Sequence, residues 1–445
     1  MIRGILKTIA WCLGIVLLLV IAILAPVDHS DFRQEDYYLE TINSIKTLNL
    51  TGSEGNHWLV GWSTANITPS EPGSLVGYKP RGEYEFIQDS SYVKALVISN
   101  GDHTMAILSY ELLIIHPYLA NEIEQAIANE NLPLDKVIFT ATHTHSGLGG
   151  YIPGIMGKVA FGGFEEEIIS LFRQQTIHGL KEALASMDTA TITYRKVAAP
   201  EGVSNRLIED GPIDPYIRQL VFKKKESKAI FYTYSAHATG LHSRFMGLSG
   251  DYPFYLNRSL TDAGYDFALF ASGAVGSHRP EVPGREVEDI QDYARQLSGT
   301  INNEVPEKEE NLQVRLQTAY LPMTLPSPTY RISDHIRLRP WVFHAVFGNT
   351  PAHFDVALIG NTLLLTSSGE ISGVFYEEWE QQAAAHGLNL IITTFNGGYI
   401  GYITPDEHYD MRHHEVRDTH WFGPHIGSYY KDLVRDLIFR VAEEK

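Results

Sequence analysis

Thr8 to Val27, TIAWCLGIVLLLVIAILAPV, is a run of twenty residues without a charge, and it decides which compartments the chain can occupy. About twenty apolar residues are enough to span a bilayer as a helix. Arg3 and Lys7 precede the run, and Asp28, Asp31, Glu35 and Asp36 follow it. By the positive-inside rule the basic end stays cytoplasmic and the remainder is exported. The expectation is a single-pass protein with residues 1–30 as membrane anchor and an extracytoplasmic body. A cleaved signal peptide is the competing reading. Its best small-residue site, after Ala25, has Ile23 at the third position back and Pro26 directly after, which suits cleavage poorly.

Charge and cysteine counts narrow the function classes. The chain has 35 Lys+Arg against 53 Asp+Glu, a net charge of −18, whereas phosphate-backbone binding wants a basic surface, so a nucleic-acid partner is excluded. A single cysteine, Cys12 within the apolar run, leaves no intrachain disulfide and no zinc site built on several thiolates. Metal chemistry would have to fall to the 19 histidines and the carboxylates.

Residues 31–55 are polar and mixed and are expected to form a juxtamembrane stalk or a short helix. Residues 56–445 contain no linker, repeat or low-complexity tract, and are expected to be one domain. Strand-length apolar runs fall at Val93–Ser99, Thr104–Leu108, Lys136–Ala141, Ala229–Tyr234, Phe267–Phe270, Val356–Ile359, Thr362–Leu365 and Leu390–Thr394. Helical periodicity is best at Leu119–Asn129, Phe164–Met187, Tyr255–Ala263, Val287–Asn302, Val374–His386 and Ser428–Glu444. This alternation predicts an α/β fold of mixed sheets with flanking helices.

Four predicted strands end in polar residues that core packing does not require. They run into Thr142-His143-Thr144-His145-Ser146-Gly147, His237-Ala238-Thr239, Ser367-Ser368-Gly369-Glu370, and Asn396-Gly397-Gly398-Tyr399 leading to Tyr402. In open α/β sheets, sites form beyond the carboxyl ends of strands, so a metal site is expected there. His143 and His145 alternate and would point the same way on an extended segment, although such a pair is also common as hydrogen-bonded surface. Catalytic zinc takes His nitrogen and carboxylate oxygen from three protein ligands, and two His with one Glu fit that count. A second polar cluster, Asp406–His425, holds five histidines and reads as the rim of the same cleft.

These residues resemble the neutral/alkaline, non-lysosomal ceramidase family of zinc amidases, which hydrolyse the N-acyl bond of ceramide. Gly61–Pro69 looks like its "G-x-G-x-A-D-I-T" opening, and Thr142–Tyr151 is close to "HTHSGPGGY". Asn205-Arg206 and Asp214 are similar to "N-R-S" and a later "D-x-D", and His237-Ala238-Thr239 to "H-P-T". Gly369-Glu370 resembles "P-G-E", and Tyr399–His425 the closing tyrosine and "G-P-H" segment. The likeness runs from about residue 58 to 430. It implies Zn2+ held by His143, His237, Glu370 and Tyr402, with His145 beside the metal and contacting substrate. Beside what the resemblance implies, Asp251 is expected to orient His237 or another ligand from behind.

Two positions depart from the family pattern. Arg279 in Gly276–Pro280 stands where "G-D-V-S-P" has its serine, and His414 precedes Glu415 where the family has tyrosine. Both are expected in the cleft, Arg279 to hold an anionic or carbonyl group and His414 as a general acid. The resemblance implies a membrane-anchored zinc hydrolase of ceramide or a related acyl-amide lipid. The alternatives are a soluble or anionic acyl amide or ester as substrate, or a binding protein whose metal site is not catalytic.

Overall fold

The computed structural model describes residues 2–78 and 81–444. Met1 and Lys445, the ends of the expected anchor and domain, lie outside the described residues, as do Lys79 and Pro80. Two mixed sheets organise the body. The larger is nine-stranded and runs in the order Phe267–Ser272, Lys228–Tyr234, Tyr216–Lys223, Asp188–Ala198, Trp58–Asn66, Tyr92–Ser99, Thr104–Tyr110, Lys136–Ala141, with Lys308–Asn311 also on Asp188–Ala198. The smaller is five-stranded, in the order Thr51–Glu54, Arg315–Met323, Ala352–Ile359, Thr362–Ser367, Asn389–Thr394.

The sheets lie face to face. Leu96, Ile107, Leu220 and Leu269 of one meet Leu316, Ala357, Leu364 and Ile391 of the other in a single apolar cluster. Helices Pro117–Asn129, Glu166–Ala185, Asp251–Asp262 and Val287–Asn303 cover the outer face of the large sheet. Helices Asp36–Lys46, Tyr376–Ala385 and Ile426–Glu443 cover that of the small one. Local chemistry starts these helices where the sequence suggests: Pro117 opens one behind a His116 cap, and Glu286 with Asp289 forms a capping box on another.

Within the two large sheets three strand pairs are parallel: Thr104–Tyr110 with Lys136–Ala141, Lys228–Tyr234 with Phe267–Ser272, and Thr362–Ser367 with Asn389–Thr394. Strands buried on both faces read as continuous apolar runs, which is why each of these was legible. Trp58–Asn66, Asp188–Ala198, Tyr216–Lys223 and Arg315–Met323 were not singled out. Their Thr, Arg, Lys and Gln residues break up the apolar pattern.

Helix Ile2–Ile23 is long and apolar enough to cross a membrane, and no part of its apolar window is buried. The helix stops short of Val27, because Leu24–Pro26 pairs antiparallel with Ile336–Leu338. Within residues 31–55, Asp36–Lys46 is a short helix, and Phe32, Ile42, Ile45, Leu48 and Leu50 are buried in the core under the small sheet. Thr51–Glu54 is an edge strand on Arg315–Met323, and Arg33 and Tyr38 bond Asp432 on the last long helix. The apolar residues scattered through this polar stretch, spaced for one helix face and then one strand, are what draw it onto the body.

Candidate metal centre and cleft

Four chain segments deliver the site, each just past a strand end. His143 leaves strand Lys136–Ala141 with φ of 61°, a left-handed conformation rare for a residue with a side chain. Its ring stacks on Phe395, centroids 4.3 Å apart and planes 13° from parallel, and Phe395 is itself left-handed at φ 66°. Paired outliers of this kind persist where packing over-determines them. The expected extended pair is thus replaced by a turn at His143, yet His145 still converges with it. His237 follows Lys228–Tyr234. Glu370 pairs in parallel register with Tyr402, so a two-residue bridge sets these two side by side. Gly276 has to be glycine, since a Cβ there would run into the Glu370 carbonyl oxygen.

The Nε2 atoms of His143, His145 and His237 meet at one point. They are separated by 2.8 Å (His143–His237), 2.9 Å (His145–His237) and 3.3 Å (His143–His145). Neighbouring carbonyls set the tautomers. His143 Nδ1 lies 2.7 Å from the Leu113 oxygen and His237 Nδ1 3.3 Å from that of Val275, and a carbonyl can only accept. Each Nδ1 therefore carries the proton, and two bare Nε2 lone pairs face each other at 2.8 Å. Lone pairs this close need a shared electrophile. A proton is disfavoured: burial first, and then the charges of Arg206 and the neighbouring histidines, hold His145 and His237 well below the ordinary imidazole value.

Glu370 completes the donor set. Burial opposes its ionisation, whereas positive charge at the His143 ring and the Tyr399 and Tyr402 hydroxyls favour it and draw its carboxyl below the usual value; with the rings neutral, a cation seated among the three Nε2 atoms would supply that charge. Tyr399 donates to Glu370 Oε1 at 2.6 Å, and Oε2 lies 3.4 Å from His143 Nε2. Three imidazole nitrogens and one carboxylate oxygen are borderline donors of the kind zinc accepts, so these residues fit a divalent metal. The grouping also gives His145 the same standing as His143 and His237 as a nitrogen donor. The Tyr402 hydroxyl accepts from Arg206 at 3.2 Å. Burial and then the Glu370 carboxylate push its phenol well above the ordinary range.

The centre opens on a cleft of about 670 Å³ whose walls include His145, Tyr402, Arg206, Arg244, His414 and Glu415. Arg206, between metal donors and cleft, pairs with Glu415 at 3.0 Å and also donates to the Gly276 carbonyl at 3.2 Å. Sequence reasoning gave neither Arg206 nor Tyr399 a role, although both fall in the quoted motifs. His414 reaches the cleft rim, largely exposed, with Nδ1 3.1 Å from Asp418.

Arg279 does not face the centre, which corrects the expectation placed on it. It lies in the short strand His278–Pro280, where alternation turns His278 and Pro280 inward and Arg279 out. There it pairs with Glu281 at 3.2 Å and Ser204 at 3.0 Å. Asp251 does not bond His237; it accepts from the Gly240 and Leu241 amides at 3.1 and 3.0 Å, which fixes the turn after that histidine.

Residues 58–255 match the family described as neutral/alkaline non-lysosomal ceramidase, N-terminal. No curated protein matches the chain by sequence. Among solved structures, the chain resembles the crystal structure of neutral ceramidase from Pseudomonas aeruginosa, with a TM-score of 0.74 at 16% identity over 87% of this chain and 75% of that one. It likewise resembles a ceramidase complexed with C2, with a TM-score of 0.73 at 16% identity over 87% of this chain and 76% of that one. The resemblance read from the sequence is borne out by the family match over residues 58–255 and, over most of the chain, by the likeness of fold.

Proposed function

We propose that this chain, which carries the N-terminal domain of the neutral/alkaline non-lysosomal ceramidase family over residues 58–255, is a membrane-anchored, zinc-dependent hydrolase of an N-acyl amide bond, with ceramide or a related acyl-amide lipid as substrate. The observation that carries this reading is the meeting of three histidine Nε2 atoms within 3.3 Å beside the buried Glu370 carboxyl, whose Oε2 lies 3.4 Å from His143 Nε2. When bound, a zinc ion there would supply a Lewis acid and lower the pKa of water toward neutrality.

The chain's own residues do the positioning. Tyr399 fixes one Glu370 oxygen and leaves the other toward the histidines. The Leu113 and Val275 carbonyls keep the Nδ1 protons of His143 and His237, so both Nε2 atoms stay available. With the metal held by His143, His237 and Glu370, His145 on the boundary of cluster and cleft keeps a proton on Nε2 and hydrogen-bonds the oxygen that gains charge as the acyl carbon becomes tetrahedral. Arg206 holds positive charge against the same oxygen while its pair with Glu415 keeps it in place. His414, on the rim, is placed to pass a proton to the leaving amine.

A second reading is favoured by Arg81 and Arg244, which share the cleft wall with Arg206. Three guanidiniums there suit a substrate with a carboxylate or phosphate near the scissile bond, the property that sequence reasoning assigned to Arg279. The orientation proposed for the anchor, helix in the bilayer and body on the extracytoplasmic side, places the cleft in reach of lipid. Hydrolysis of ceramide, an N-acyl amino acid and a simple ester by the full chain, with and without a chelator, tests both readings. Chelator-sensitive release of fatty acid from either amide supports the proposal, and chelator-insensitive hydrolysis overturns it.

A further inference from the structure

The N-terminal helix does not leave the body by a loose tether. Its last carbonyls are claimed by the body itself: Arg339 Nε donates to Ile21 at 2.7 Å, the Trp341 indole to Ala22 at 2.9 Å, and the Arg339 amide to Ile23 at 2.8 Å. Carbonyls at a helix end have no partner within the helix, and a cation there also complements the helix dipole. Strand Leu24–Pro26 then pairs at once with Ile336–Leu338. The end of the helix and segment 336–341 are therefore one rigid unit.

Beside this joint lies an apolar surface. The short helix Pro340–Phe347, PWVFHAVF, packs against helix Gly154–Ala160. Trp341 (59%), Ile155 (54%), Val159 (59%), Ile332 (53%) and Ile336 (41%) are exposed on these segments. Exposed apolar groups so concentrated mark an interaction surface. The apolar window Arg3–Ile23 holds 21 residues, which at about 1.5 Å each spans about 31 Å, one hydrocarbon thickness. If that window fills the bilayer core, Ala22 and Ile23 sit at its far boundary. Trp341, bonded to Ala22, then sits where tryptophan is favoured, with its ring in the acyl boundary and its N–H satisfied.

We infer that helices Gly154–Ala160 and Pro340–Phe347, with Trp341 and Ile336, form a docking face that beds into the outer boundary of the bilayer beside the helix exit. The occupant is lipid because the helix that adjoins this face has no other solvent. The inference rests on the reading of residues 2–23 as a retained anchor. A small apolar cavity between the two short helices is lined by Met156, Phe347, Trp421 and Tyr399, and Tyr399 bonds Glu370. The bedded face thus lies one layer of side chains from the metal centre.

Nitroxide labels on the full chain in phosphatidylcholine vesicles test this by collision with oxygen, which partitions into lipid, and with a nickel chelate, which stays in water. The native Cys12, exposed within the helix, reports the anchor alone. Ile155→Cys and Val159→Cys, each with Cys12→Ser, report the face, and Val305→Cys, at 87% exposure, is the aqueous control. The inference expects an oxygen-to-nickel collision ratio at 155 and 159 about threefold or more above that at 305, as for side chains bedded at an interface, with Cys12 deeper still. A deep Cys12 with labels at 155 and 159 as wet as 305 overturns the docking face and spares the anchor. A missing or wet Cys12 label overturns the anchor, and the docking face with it. Spin–spin broadening between labels at 155 on different chains assigns the face to a second copy and also overturns the inference.

Discussion

Arg206→Met is the substitution whose cost the structure lets us work out most fully. The guanidinium is held by three partners: Glu415 at 3.0 Å, the Tyr402 hydroxyl at 3.2 Å and the Gly276 carbonyl at 3.2 Å. Methionine keeps the apolar stem of the side chain and removes the guanidinium with its charge. Removing one partner of a buried pair costs about 3–5 kcal/mol, because the other charge is left desolvated. The side-chain exposures of 16% for Arg206 and 13% for Glu415 let water relieve part of this, which puts the expected loss near the lower bound, about 3 kcal/mol. Urea unfolding of the full chain in detergent, followed through the far-UV signal, measures it as a shifted midpoint with unchanged slope. Adding Glu415→Gln removes the orphaned carboxylate and should return about 1–2 kcal/mol. The same pair would also lose hydrolytic rate in common, since neither restores positive charge to the cleft. A loss under about 1 kcal/mol, the size of a surface pair, would refute the reasoning, as would a double variant no more stable than Arg206→Met.

Further outcomes follow from other parts of the molecule. Leu364→Ala, at a fully buried position between the sheets, should cost about 2–5 kcal/mol in the same unfolding experiment, and a smaller loss would deny that the sheets form one core. Asp355 is buried, which opposes ionisation, but His353 and Lys136 hold its carboxyl below its ordinary 3.8. A depressed carboxyl adds stability above its unfolded pKa and loses it as pH falls through the folded value; Asp355→Asn should therefore flatten the acid side of a stability–pH curve below about pH 4, and an unchanged curve would contradict this. Gly276→Ala would press a Cβ on the Glu370 carbonyl and should weaken metal retention during dialysis against a chelator, while Gly299→Ala, where a Cβ meets nothing closer than 3.9 Å, should leave retention unchanged. Arg279→Ser, on the outer surface, should leave hydrolysis of every substrate unchanged, and any altered preference would restore the role the structure denies it.

Legibility in the sequence followed burial. Strands Lys136–Ala141, Thr362–Ser367 and Asn389–Thr394 are covered on both faces, so their continuous apolar runs could not be mistaken for anything else. The polar residues just beyond them were conspicuous for the same reason, and His143, His237 and Glu370 do converge. Tyr402 came only through the family resemblance, because nothing in its spacing reveals that a two-residue bridge places it beside Glu370. Arg206 was passed over because its value lies in contacts with Tyr402, Gly276 and Glu415, all far away in the chain. Arg279 was misplaced because a position in a site motif close after a strand does not fix which way a side chain points; a three-residue strand has faces, and its middle residue points out. Residues 31–55 looked like a stalk because their polar majority hides five side chains that the core buries.

Metal content and amide hydrolysis, measured on one preparation of the full chain and of its His237→Ala variant, test the central claim most directly. The account predicts about one zinc per native chain, with fatty acid released from ceramide or an anionic N-acyl amide. The variant should keep its far-UV spectrum and lose both the metal and the hydrolysis. A His237→Ala protein that still binds stoichiometric zinc, or that hydrolyses these amides at the native rate, would contradict it.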